Sequence, residues 1–103
     1  MRFRVEFGAS AEMEIDEAIE SYEKQSRGLG ADLVSAMRVV EDMLTRDPER
    51  FAVLYVSRSG RRVRRVLLPR FPYSMHYLID AQLVRVIAFM QANRDPRRWE
   101  RGA

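Results

Sequence analysis

The sequence predicts an α+β fold: an N-terminal strand, an antiparallel helical hairpin, then a three-stranded antiparallel meander, all in one sheet of order 2-3-4-1. Three observations carry this. Residues 2–7 alternate polar and apolar strictly, two helical-period apolar stripes are joined by Gly28-Leu29-Gly30, and residues 83–90 are apolar on both faces. A strand buried on both faces needs neighbours on both edges. The preceding strand supplies one by hairpin, and the N-terminal strand is the free candidate for the other.

Taken in order, Arg2-Phe3-Arg4-Val5-Glu6-Phe7 places Phe3, Val5 and Phe7 on one face, as a half-buried strand does. Gly8 breaks it, and Ser10 is placed to cap a helix over about 10–26. Glu12, Glu14, Asp16 and Glu17 crowd the start of that helix, where its dipole favours carboxylates. Its apolar stripe is Ala11, Ile15, Ala18, Ile19 and Tyr22. A second stripe, Leu33, Met37, Val40 and Leu44, runs to Asp47-Pro48, where proline disfavours helical geometry in the residue before it. The short link makes the two helices antiparallel neighbours. Phe51 to Val56 reads as a short strand and Ser57-Arg58-Ser59-Gly60 as a turn. The meander follows as Val63 to Leu68, Tyr73 to Ile79 and Leu83 to Met90, with Asp80-Ala81-Gln82 as the last reversal. On the final strand, Val84, Val86, Ala88 and Met90 are expected on one face and Leu83, Ile87 and Phe89 on the other.

At 103 residues the chain is one domain, long enough to bury roughly 60 to 70% of the surface its unfolded form exposes. It has no cysteine and one histidine, His76, so thiolate and His/Cys metal sites are excluded; no metal or other cofactor is expected. No apolar run approaches the roughly 20 residues of a membrane span, and residues 1–6 lack a secretory layout. The expected compartment is the cytoplasm.

Charge is divided between the halves. Residues 1–50 hold 7 Lys/Arg against 12 Asp/Glu, a net of −5, and residues 51–103 hold 11 against 3, a net of +8. All basic residues except Lys24 are arginine, the side chain that grips carboxylate or phosphate in a bidentate fork. Arg58, Arg61, Arg62, Arg64, Arg65 and Arg70 lie in a stretch without a carboxylate. On a strand, Arg62 and Arg64 share one face and Arg61 and Arg65 the other, so one pair projects away from the helices, where it can meet an anionic partner. Set against this, such arginines also serve as solvated protection of a sheet edge. His76 can act as a general acid or base, but a lone strand histidine is more often a hydrogen-bonded surface residue. Tyr73 and Tyr77 alternate on the core-like face and read as packing. The acidic face of the first helix has the spacing of a solvated face. Arg94, Arg97, Arg98 and Arg101, with Trp99, form a second basic cluster.

These residues in this order resemble the ParE/RelE superfamily of toxins from type II toxin–antitoxin, or plasmid stabilisation, systems. The resemblance spans nearly the whole chain: the alternating first strand, the acidic helix ending in Tyr22-Glu23, Gly28-Leu29-Gly30, Asp47-Pro48, then Arg70-Phe71-Pro72-Tyr73 with Tyr77, and Arg94-Asp95-Pro96 with Trp99. It implies a growth-inhibiting toxin neutralised by an acidic antitoxin, with a heterotetramer as one possible assembly. ParE-like members act on DNA gyrase and carry no nuclease chemistry; RelE-like members cleave messenger RNA on the ribosome. Gln91 stands where many relatives have a histidine, which favours the ParE-like reading, since glutamine transfers no proton. The alternatives are a RelE-like endoribonuclease using Arg62, Arg64, Arg70, Arg94 or His76, and an inactive relative acting as a binding module. For target or antitoxin binding the expected residues are Arg61, Arg62, Arg64, Arg65, Arg70, Arg94, Arg98 and Trp99.

Overall fold

A computed structural model describes residues 2–92. Strand β1 (Arg4–Phe7) leads into helices α1 (Ala9–Gln25) and α2 (Leu29–Arg46), and a 3-10 turn (Pro48–Arg50) follows. Strands β2 (Val53–Val56), β3 (Arg62–Leu67), β4 (Tyr73–Asp80) and β5 (Leu83–Gln91) complete the order. The sheet has five strands in the order β1-β5-β4-β3-β2. The expected order 2-3-4-1 holds for the meander and the first strand, with a correction at the far edge. There the short strand after the 3-10 turn joins the sheet antiparallel to β3. β1 pairs parallel with β5, Arg4 opposite Leu83 and Phe7 opposite Val86.

Helix α1 begins one residue before the expected start, with Gly8 rather than Ser10 at its N-cap. Gly8 donates its N–H to Val86 O at 2.9 Å, so the chain turns into the helix directly from the last rung of the sheet. Between the helices Gly28 takes φ 95°, a left-handed value that glycine adopts without a Cβ clash. Glu23, near the end of α1, accepts N–H bonds from Gly28 and Gly30 at 3.0 to 3.2 Å, so its carboxylate caps the positive end of α2. A Cβ on Gly30 would sit 3.0 Å from Glu23 Oε1 and 3.1 Å from Ile19 O, so glycine is what lets the helices close here.

The hairpin covers one face of the sheet. Ala11, Ile15 and Ala18 of α1 and Leu33, Ala36, Val40 and Leu44 of α2 pack on Val66, Met75, Tyr77, Val84, Val86 and Phe89. The assignment of β5 to faces differs from the simple alternation. His76 pairs with Ala88 but Tyr77 pairs with Val86, which leaves Ile87 as an extra residue in β5. This bulge flips the remainder of the strand. Phe89 therefore joins Val84 and Val86 in the core, opposite Met75, whereas Ala88 and Met90 turn to the far face. Beyond Val86 the β1 side of β5 has no strand partner among the described residues, and Glu14 of α1 accepts the Phe89 N–H there at 3.2 Å.

Candidate functional site

Registers decide which arginines face the helices. Arg64 pairs with Tyr77 and Val66 with Met75, so Arg62, Arg64, Val66 and Leu68 share the helix side of β3. Arg65 pairs with His76 and Leu67 with Ser74, which puts Arg61, Val63, Arg65 and Leu67 on the far face. Arg62 and Arg64, both among the expected site residues, differ in what they do. Arg64 Nη1 donates to the carbonyls of Glu49 at 2.9 Å and Phe51 at 2.6 Å, tying the 3-10 turn to the sheet. Arg62 is exposed on the same side.

Far-face cations come from three strands and the turn before one of them: Arg65 of β3 with Arg61 just ahead of it, Arg85 of β5 opposite Leu78, and Arg4 of β1. Neither Arg85, set in an otherwise apolar strand, nor Arg4 stands out in the sequence as a member of this set. Their shared parity with His76 becomes visible only once the registers are known. Carboxylates temper the row: Glu6 lies beside Arg85, and Asp80 Oδ2 is 3.9 Å from Arg61 Nη2. Both members of that last pair are solvated, so the contact adds little stability and leaves Arg61 able to exchange partners. Arg70 sits at φ 69° between Pro69 and Phe71, with its guanidinium 3.9 Å from Asp32 of α2 and 5.9 Å from the Phe71 ring. It therefore belongs to a different patch, at the helix side. Arg94, Arg98 and Trp99 lie outside the described residues.

His76 is on the far face but buried, 2% exposed, with its Nε2 3.4 Å from Ser74 Oγ. Burial, and then the positive charge of Arg65, lower its pKa to about 4. The ring is neutral at physiological pH and shielded, so it is poorly placed to take a proton from a bound substrate. Val63, Ser74, Ala88 and Met90 are buried on this face as well. The two tyrosines serve packing. Tyr77 is fully buried and donates to Pro48 O at 2.7 Å, burial pushing its hydroxyl pKa up, and Tyr73 stacks on Phe89 at 4.7 Å. No grouping of three or more His, Asp or Glu side chains fit to hold a metal occurs among the described residues. No helix among them is long and apolar enough to cross a membrane.

A set of guanidinium groups with few carboxylates, on a rigid sheet, suits an anionic or carboxylate-bearing partner. Comparison with known proteins gives the fold a place. No family model matches the chain, and no curated protein matches it. Among solved structures it is similar to a chain of the chromosomal ParDE TA system from P. aeruginosa, with a TM-score of 0.71 at 13% identity, over 88% of this chain and 97% of that one. It is also similar to a chain of the archaeal RelE-RelB complex from Pyrococcus horikoshii OT3, with a TM-score of 0.55 at 17% identity, over 92% and 100%. The fold is therefore that of the ParE/RelE proteins, as the resemblance in sequence implied.

Proposed function

We propose that the chain is the toxin of a type II toxin–antitoxin module, ParE-like in action, which inhibits growth by engaging DNA gyrase and is neutralised by a cognate acidic antitoxin. The observation that carries this is the likeness to a chain of a ParDE system over nearly the full length of both. The burial of His76 and its lowered pKa support a binding role over proton-transfer chemistry. In this reading the arginines of β3 and β5 form a recognition surface, and the basic second half of the chain attracts the acidic antitoxin.

A second reading, a RelE-like ribosome-dependent endoribonuclease, draws on the likeness to a chain of the RelE-RelB complex and on Arg61, Arg65 and Arg85 sharing one face. Oriented guanidinium groups can stabilise charge on a reacting phosphate without a histidine. The two readings separate on expression of the chain without its antitoxin. An SOS response with intact messages is the expected result; codon-positioned cuts mapped by primer extension would replace the gyrase reading with the nuclease one. No growth defect from well-folded protein would make the chain an inactive binding module.

A further inference from the structure

On one side the sheet ends at β1, and the outer edge of that strand is open. Arg4 donates its N–H to Gln82 O and Gly8 to Val86 O, both at 2.9 Å, so along this parallel ladder Arg4, Glu6 and Gly8 turn their main-chain groups toward β5. Val5 and Phe7, lying between them, turn theirs away from the sheet, and among the described residues nothing bonds to them on that side. Phe3 N–H is held by Thr45 O at 2.9 Å, which ends the open edge at the foot of α2. The helices do not close over the strand either. Phe3, Val5 and Phe7 pack toward the core but stay half-buried, and crevices of about 560 and 350 Å³ flank them, one against α2 and one between Phe7 and Met37.

Charge identifies what covers this edge. The larger crevice is lined by Arg2, Arg4 and Arg38 and by Glu6, Glu41 and Asp42, three cations against three acids. A balanced face selects neither a strongly acidic protein nor a polyanion, unlike the arginine-bearing far face of the sheet. On the strand itself the order Arg4-Val5-Glu6 is self-complementary. When two copies of β1 run antiparallel about a two-fold axis through Val5, Arg4 of each stands opposite Glu6 of the other. The two Val5 residues then exchange N–H···O bonds, using the groups that point outward. Centring the pair on Arg4 or on Glu6 instead sets like charges opposite each other. Charge guards an edge when like signs meet across it, and here that happens only in the wrong registers.

We propose that the β1 edge is a self-association surface, on which a second copy of this chain pairs antiparallel and joins the two five-stranded sheets into one. Phe3, Val5 and Phe7 of the two copies meet on the helix side and fill the crevices, and the Arg4–Glu6 pairs lie on the far face. The strand has four residues, so the contact belongs among small, reversible interfaces. A two-fold axis normal to the sheet puts both helical hairpins on one side and both sets of Arg61, Arg65 and Arg85 on the other, as one continuous surface. Nothing in this pairing depends on toxin activity.

The test is sedimentation velocity of the whole chain from about 10 μM to about 1 mM, with amide chemical shifts followed over the same range. The mass should rise from 12.1 kDa toward twice that value, and the concentration-dependent shifts should centre on Val5 and Phe7. Glu6→Arg and, separately, Arg4→Glu set like charges across the axis, and each should weaken association about tenfold or more. An equimolar mixture of the two variants recovers both opposite-charge pairs and should associate within about threefold of the parent. If either variant melts early, the parent's own amide shifts decide the matter. A chain that stays monomeric at the highest concentration overturns the proposal, as does a dimer whose shifts lie away from β1, or a mixture no tighter than either folded variant alone. So do Val5 and Phe7 amides already protected from exchange in the dilute monomer, since another part of the chain would then cover the edge. An acidic peptide or a single-stranded oligonucleotide that shifts these amides while self-association does not would replace the second copy with that partner.

Discussion

At the scale of single residues, His76 and Tyr77 are neighbours that face opposite ways, and both are costly to change. His76 binds a proton less readily in the folded chain than the usual value of 6.5, with its pKa lowered to about 4. The unfolded chain therefore takes up a proton that the native state refuses as pH falls below about 6.5. Stability from this group is fully present above pH 6.5 and is lost as pH falls to about 4, by roughly 3 kcal/mol in all. Urea melts at pH 7 and pH 4.5 should show this loss in the parent and a smaller pH dependence in His76→Gln; equal slopes would mean that the ring titrates normally. Tyr77→Phe removes the donor to Pro48 O and leaves a buried carbonyl unpaired, so it should cost about 1 to 3 kcal/mol in the same melts. The sequence placed both residues on their correct faces, because strict alternation through β4 is undisturbed. It could not show that His76 would be buried, since parity says which way a side chain points and nothing about what lies over it.

At the scale of elements, carboxylates on α1 do more than solvate a helix. Glu23, of the face that read as solvated, caps α2, and Glu14, on another side of the helix, satisfies an amide of β5, so two acids of α1 fasten the hairpin to itself and to the sheet. Glu23→Ala should lower the melting temperature by an amount equivalent to about 1 kcal/mol, and an unchanged melt would mean that solvent replaces the cap without loss. The elements themselves were legible from periodicity, with boundaries shifted by a residue or two. The bulge at Ile87 was not. A run apolar on both faces gives no polar mark by which a one-residue slip can be seen, so Phe89 was expected away from Val86 and lies beside it. Arg64 is a similar case. It shares parity with Val66 and Leu68, a pattern that already pointed to the helix side, but the sequence reading left open which of the two arginine pairs faces the helices.

At the scale of the whole molecule, the arginines divide into a structural member and a surface set, and growth assays should divide them likewise. Arg61→Ala with Arg65→Ala should relieve growth inhibition at least tenfold in inducer dose while the melt stays within about 1 kcal/mol of the parent. Arg64→Ala should act through stability, lowering the melt by about 1 to 3 kcal/mol as two carbonyls lose their donor. Inhibition undiminished in the folded double variant would remove that patch from the function. The fold as a whole was readable because the doubly apolar β5 demanded β1 at its side; the far-face arginine set was not, because it depends on registers that sequence leaves open.

The parallel pairing of β1 with β5 has a consequence for how the protein is made. Arg4 finds Leu83 only after most of the chain has been synthesised, and β5 is the strand that β1 and β4 both need. Contacts that distant in sequence form late and carry a large loop-closure cost. A chain that stops before residue 83 contains β2, β3 and β4 but lacks the strand that joins β1 to them, so Arg4 and Arg85 cannot come to lie on one sheet face with Arg61 and Arg65. The far-face arginine set is thus completed last, by the same strand that closes the sheet, and a shortened chain would not carry it.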